Sequence, residues 1–297
     1  MPLSAGEVSQ PHLIVYELRW LIMPEDQVVD KTKILVTVES LQTDFKALGI
    51  EKGMVLLVHS SLSAVGWVCG GAVAVILALQ EVLGKTGTLV MPTHSTDLSD
   101  PSQWKNPPVP ESWWQTIRET MPAYDPNLTP TRSMGKIAET FRKQNEVLRS
   151  AHPQSSFCAS GPQASYVVEN HSIAFSMGEN SPLARIYDLE GFVLLLGVGH
   201  SSNTSIHLAE YRADFPTKRV VPEGAPISQA GSRVWTTFED VDVDDSDFHR
   251  LGEDFLRSDV GKVVRRGKVG IANCQLMPQR AIVDFAVDWL AENRKNR

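Results

Sequence analysis

Hydrophobic positions along the chain fall into two regimes, short unbroken apolar runs and longer stretches with helical spacing. Leu41, Phe45 and Leu48 recur at i, i+4 and i+7, which predicts a helix over Val38 to Leu48 with Gly49 as its stop. Val55-Leu56-Leu57-Val58 is continuous, the pattern of a strand covered on both faces. It opens into His59-Ser60-Ser61-Leu62-Ser63 and a loop punctuated by Gly66, Gly70 and Gly71, after which Ala72 to Leu83 reads as a helix. Gly87 to Met91 is a second strand ending at Pro92, and Phe192 to Leu196 is a third, ending in Gly197-Val198-Gly199. Helices are also predicted over Gly135 to Lys143, from near Thr204, and over Ala281 to Asn293, while Arg233 to Val243 reads as a strand with an acidic end. This strand, loop, helix, strand succession predicts an α/β fold in which ligands gather at the carboxyl ends of the strands.

Residues 1 to about 30 carry no sustained period, so 1–35 is read as an extension, packed through Trp20 and Leu21, before a single domain over 36–297. The extension caps the body or joins a homodimer, and the residues do not decide which. Residues 97–130 are rich in Pro, Asp and Trp and too long for a plain connector, which predicts a functional or locally structured segment.

Composition narrows the class. An apolar fraction of 42% with 21% charged residues suits a globular enzyme. The apolar run from Leu13 to Met23 is broken by Glu17 and Arg19 and is shorter than the roughly 20 residues of a membrane span. It also lacks a basic start and a small-residue cleavage site, so neither secretion nor membrane insertion is expected. Cys69, Cys158 and Cys274 lie far apart, with no zinc spacing and no disulfide framework, which fits a reducing cytoplasm. A net charge of −7 with scattered Lys and Arg argues against nucleic acid and suits a cationic small molecule.

The densest chemistry lies in Gly197 to Glu210, where a buried strand runs into small polar residues and then a helix start carrying His207 and Glu210 at i+3. A helix start of this kind also suits a structural, capping histidine. Ser202 stands where a dinucleotide fingerprint needs its third glycine, and Leu79 stands where a phosphate loop ahead of Gly84-Lys85-Thr86 needs its first. The Ser/Gly-rich loop from His59 to Gly71 can cradle a pyrophosphate or be a simple turn. No serine sits in GxSxG and no HExxH is present, so a metal is not expected; sets such as His94, Asp97 and His200 lack ligand spacing. Asp97, Asp100, Glu111, Glu210 and the acidic run from Glu239 form either a sink for a polycation or a solvated face.

Five stretches carry a resemblance to a known family: LLVHSSLSAVG (Leu56 to Gly66), GTLVMPTHSTDLSDP (Gly87 to Pro101), TPTRSMG (Thr129 to Gly135), RSAHPQSSFCASGP (Arg149 to Pro162) and LLLGVGHSSNTSIHLAE (Leu194 to Glu210). Together they resemble the aminoglycoside 3-N-acetyltransferases over about residues 36 to 292. The resemblance implies a three-layer-like sheet with flanking helices, of the antibiotic N-acetyltransferase type and unlike the more widespread N-acetyltransferases. It implies acetyl transfer from acetyl-CoA to the 3-amino group of a 2-deoxystreptamine aminoglycoside, with another amine metabolite as the alternative acceptor. It makes His207 the general base, Glu239, 32 residues further on, the acid holding its imidazole, and Thr204 a neighbour of the thioester. It makes His59, Ser60, Ser61, Leu62, Ser63, Gly66, Thr131, Met134 and Gly135 contacts of coenzyme A, and Asp97 and Glu210 the carboxylates receiving the aminoglycoside, with Asp100 a near competitor of Asp97. A hydrolase or a non-catalytic coenzyme A-binding protein is the competing class.

Overall fold

The computed structural model describes residues 24–295. Helix α1 (Glu25–Lys31) precedes α2 (Val38–Leu48), where Thr37 accepts from the Ser40 amide and Ser40 Oγ accepts from the Thr37 amide. That reciprocal cap satisfies two orphan donors of the first turn. Gly49, at φ 100°, ends α2 in the left-handed conformation that glycine adopts without a Cβ penalty.

The chain continues through β1 (Val55–Ser60), α3 (Leu62–Val65), α4 (Gly71–Leu83), β2 (Thr88–Pro92), α5 (Glu111–Thr120), α6 (Gly135–Phe141), β3 (Leu148–Arg149) and β4 (Phe157–Ser160). It then forms α7 (Ala164–Val168), α8 (Pro182–Asp188), β5 (Phe192–Leu196), α9 (Ser205–Arg212), β6 (Val220–Gln229), β7 (Ser232–Val241), α10 (Phe248–Arg257), β8 (Arg265–Val269), β9 (Ala272–Pro278) and α11 (Gln279–Asn293). One sheet has the order β3-β4-β2-β1-β5-β9-β8. Strand β1 is parallel to both β2 and β5, and the outer strands extend the sheet antiparallel.

Alternation along the parallel strands builds two cores. Leu56, Val58, Leu89, Met91, Leu194 and Leu196 face α2, α4 and α6, where Phe45, Ile76 and Phe141 meet them. Val55, Leu57, Val90, Val193 and Leu195 face the other way, against Ile186 of α8, Ile206 of α9, Phe255 of α10 and Leu290 of α11. Helices thus cover both faces of the sheet, as the continuous apolar runs require, and the expected three-layer architecture is present. The chain leaves β1 toward β2 on one side and returns to its other side at β5, so the carboxyl ends of these three strands border a switch point, where α/β sheets place their ligands.

Strands β6 and β7 form a separate hairpin closed by Ala230 and Gly231, both at positive φ (48° and 77°). That conformation matches the twist of a two-residue hairpin. The predicted strand over Arg233 to Val243 is β7, but its partner β6 is masked by Pro222, Gly224 and Pro226, which a strand tolerates here because it pairs on one side only. The 97–130 segment is locally structured: it contains α5, and the Tyr124 amide donates to Pro226 O while Arg233 Nε donates to Met121 O, docking it on the hairpin.

The described part of the extension contains one short helix. Residues Glu25–Lys31 are helical, with Val28 buried and Trp67 Nε1 donating to Glu25. One buried position in a single short helix offers no period to read. Trp20 and Leu21 lie outside the described residues.

Candidate functional site

The site grows from the carboxyl ends of β1, β2 and β5. The Ser61 amide donates to Leu196 O at 3.0 Å, tying the loop after β1 to the end of β5. Gly197 follows at φ 68°, and a Cβ there would stand 2.5 Å from Ala64 Cβ, so only glycine allows the two loops to approach. A short 3-10 turn over His200–Ser202 then leads to Thr204, which is nearly buried and whose hydroxyl caps nothing.

His207 lies in the first turn of α9, its side chain 15% exposed. Its Nδ1 is 2.6 Å from Glu210 Oε2, and its ring packs on Phe248. Glu210 is fully buried, and its other oxygen accepts from Arg294 Nη1 at 2.6 Å and from the Asp244 amide at 2.9 Å. A carboxylate held by a guanidinium is ionised and only accepts, so His207 Nδ1 is the donor and Nε2 carries the lone pair.

Two expected roles are corrected by this geometry. Glu210 is buried and both of its oxygens are already committed, which leaves neither free for a substrate amine. The carboxylate on the His207 imidazole is Glu210, whereas Glu239 is exposed on β7 and meets the rest of the chain through its carbonyl, which accepts from the Phe175 amide. In a helix, i and i+3 share a face, which gives Glu210 the shorter reach.

Two further imidazoles flank the site. His59 is the penultimate residue of β1 and His94 lies two residues beyond β2; both are buried, and the Nε2 of each lacks a hydrogen-bond partner. Burial, with a smaller contribution from the neighbouring His207, pushes both down to about 3, so both are neutral at physiological pH. Of these two, the sequence singles out His59 as a ligand contact and presents His94 only as a member of a metal set.

The TPTRSMG stretch reaches the same edge. The His94 carbonyl accepts from the Arg132 amide at 2.8 Å, and a Cβ on Gly135, at φ 79°, would lie 3.7 Å from the Ser60 carbonyl. The two loops expected to hold coenzyme A therefore meet. Ser61 and Ser63 exchange a hydroxyl contact at 3.3 Å, while Leu62 and Met134 pack on the core beneath. Thr131 is committed to Glu139 through both its amide and its hydroxyl, and Gly66 turns the chain at φ 105° against Thr32.

Asp97 and Asp100 differ in kind. Asp97 is exposed and pairs with exposed Arg132 at 2.5 Å. Asp100 accepts from Arg118 Nε and Nη2 at 2.8 and 2.7 Å and from the Ser102 amide, and the Arg118 bond chiefly holds it down to about 2. Asp100 thus fixes α5. Glu223 on β6, unremarked in the sequence, is raised by burial and by the charges of Asp240 and Asp100. His94, Asp97 and His200 do not assemble: among the described residues no group of three or more His, Cys, Asp or Glu is placed to hold a metal ion. Burial pushes the Cys158 thiol up to about 11, which removes it as a nucleophile at neutral pH. Among the described residues no helix is long and apolar enough to cross a membrane.

The family model for aminoglycoside 3-N-acetyltransferase matches residues 57–291. The chain is 48% identical over 268 residues to the SPbeta prophage-derived aminoglycoside N(3')-acetyltransferase-like protein YokD of Bacillus subtilis (strain 168), covering 90% of this chain and 97% of the relative. It is similar to the solved structure of AAC-IIIb in a binary complex with CoASH, at TM-score 0.78 and 30% identity over 89% of this chain and 99% of that one. AAC-VIa bound to sisomicin is similar at TM-score 0.78 and 30% identity, over 89% of this chain and all (100%) of that one.

Proposed function

Since the chain belongs to the aminoglycoside 3-N-acetyltransferase family, a family of acyltransferases, we propose that it transfers acetyl from acetyl-CoA to the 3-amino group of a 2-deoxystreptamine aminoglycoside. The observation that carries the reading is the pairing of His207 with buried Glu210 at the carboxyl ends of the parallel strands. Similarity to a structure holding CoASH and to one holding sisomicin supports the two substrates.

An aminoglycoside amine is largely protonated near neutral pH and cannot attack a thioester in that state. The ammonium first releases one proton to solvent, and His207 Nε2 takes the second proton from the resulting neutral amine as the new C–N bond forms, a step typically worth ~10² to 10⁴-fold. Glu210 fixes the tautomer and stabilises the imidazolium. The carbonyl π electrons move to oxygen, where the uncommitted Thr204 hydroxyl or loop amides donate. The C–S bond then breaks as the carbonyl re-forms, and the imidazolium returns its proton to the departing thiolate. The meeting of the Ser60–Ser63 loop with Gly135 supports that surface as the coenzyme A contact, and Asp97 receives the polycation.

A second reading, transfer to a different amine, is favoured by one observation: Asp97, expected to receive the antibiotic, is paired with Arg132, and its near competitor Asp100 is paired with Arg118. The Asp97 pair is exposed and weak, so a polycation can displace it. Thiol release from acetyl-CoA across aminoglycosides and simple amines, with mass analysis of products, tests both. Acetylation at the 3-amino group is expected; turnover only with unrelated amines establishes the second reading, and thiol release without any acceptor establishes a hydrolase.

A further inference from the structure

The buried charge around Glu210 continues past it. Arg294, directly after α11, is 3% exposed and stacks its guanidinium over Phe215. It donates through Nη1 to Glu210 Oε1 at 2.6 Å, and through Nη2 and Nε to Asp247 Oδ1 and Oδ2 at 2.6 and 3.0 Å. Nη2 also donates to the Asp244 carbonyl at 2.5 Å, so the guanidinium clamps the loop before α10 as well. Burial opposes the charge of Arg294, but Asp247 and Glu210 more than restore it.

We infer that Arg294 is a positioning residue for the base His207, acting through Glu210 and setting how strongly that carboxylate holds the imidazolium. The inference rests on the acetyltransferase reading for its consequence, not for its geometry. Arg294 and Asp247 balance each other, leaving the charge of Glu210 for the imidazolium. The charged and titratable groups around His207 are Glu210 on α9, Asp244 and Asp247 before α10, Arg294 after α11, Lys218, which feels Glu210, and the His59 and His94 imidazoles. Removing the Arg294 cation takes the counter-charge from Glu210, the carboxylate bonded to the imidazole, so protonated His207 is stabilised and its titration moves to higher pH.

The test is a proton NMR titration of His207 in the full chain, assigned by difference from His207→Gln, alongside pH profiles of kcat with acetyl-CoA and sisomicin. In Arg294→Gln the His207 titration and the acid limb of kcat are expected to rise together by about one pH unit. In Arg294→Gln/Asp247→Asn, which removes the balanced pair, both return toward the wild-type position. Arg294→Lys keeps the charge but loses the fork, so kcat falls while the limb stays. Should Arg294→Gln fail to fold, the double variant and Arg294→Lys carry the test. An unshifted titration in folded Arg294→Gln, or a shift persisting in the double variant or appearing in Arg294→Lys, overturns the inference. A wild-type chain that acetylates no amine overturns the proposed function instead, and leaves the NMR comparison intact.

Discussion

Replacing Glu210 by Gln separates two assignments of the acid behind His207. The His207 Nδ1 to Glu210 Oε2 bond, at 2.6 Å, is charge-assisted, and such bonds contribute about 1.5–3 kcal/mol. The loss in catalysis is larger than that bond, because the side-chain amide of the substituted residue can donate to Nδ1 and move the imidazole proton to Nε2, where the base should be. The corresponding change in a hydrolase triad costs roughly 10⁴ in kcat, so a fall of about 10² to 10⁴ is expected with little change in KM. Folding suffers less. Arg294 keeps two bonds to Asp247, so the cost stays below the ~3–5 kcal/mol of an orphaned buried ion. Glu239→Gln, on an exposed side chain, is expected to stay within about twofold. Thiol release at saturating acetyl-CoA and sisomicin, with a melting curve for each variant, measures all of this. A folded Glu210→Gln enzyme within about threefold of wild type, or a hundredfold loss in Glu239→Gln, would refute the reasoning.

Other consequences follow from neighbouring groups. His207→Ala is expected to lose turnover by at least about 10²-fold while calorimetry still finds coenzyme A bound, since the loops proposed to hold it follow β1 and precede α6 rather than belonging to α9. Asp97→Asn is expected to raise the aminoglycoside KM without lowering the melting temperature, whereas Asp100→Asn lowers the melting temperature through lost Arg118 bonds; the reverse pattern would exchange their roles. The Asp100 contribution, from a depressed carboxylate, is present above its unfolded value near 4 and is lost as pH falls through about 2. His59 and His94 titrate near 3 in the fold and near 6.5 unfolded, so the unfolded chain takes up their protons first and stability falls as pH drops below 6.5. At pH 5 this amounts to about 2 kcal/mol per imidazole, and His94→Gln should flatten the slope of denaturant stability between pH 6.5 and 4.5.

The elements legible in the sequence are those whose surroundings leave a uniform trace. Strands β1, β2 and β5 are buried on both faces and read as continuous apolar runs, and α2 shows its face because Leu41, Phe45 and Leu48 alone are buried. Strands β8 and β9 escape detection because Arg265 to Lys268 are exposed at the sheet edge and Asn273 and Gln275 interrupt the apolar positions of β9. Helix α10 escapes it too, although Phe248, Leu251 and Phe255 sit at helical spacing, because the acidic run directly preceding it reads as a solvated face.

For the site, local spacing carries information and long-range pairing does not. The helical i, i+3 relation alone puts Glu210 beside His207, yet the resemblance assigns that role to Glu239, far along the chain. Arg294 leaves no trace, since an arginine at the end of a closing helix reads as a solvated charge favouring the helix dipole. What distinguishes it is burial against Phe215, and only the packing of α11 on α9 creates that. The same packing explains why an ionised carboxylate survives inside the fold: Glu210 and Asp247 bring two negative charges, Arg294 returns one, and an imidazolium on His207 completes neutrality. Among the described residues this buried network carries one negative charge more than positive, which is matched to the protonated state that a general base reaches as the new bond forms.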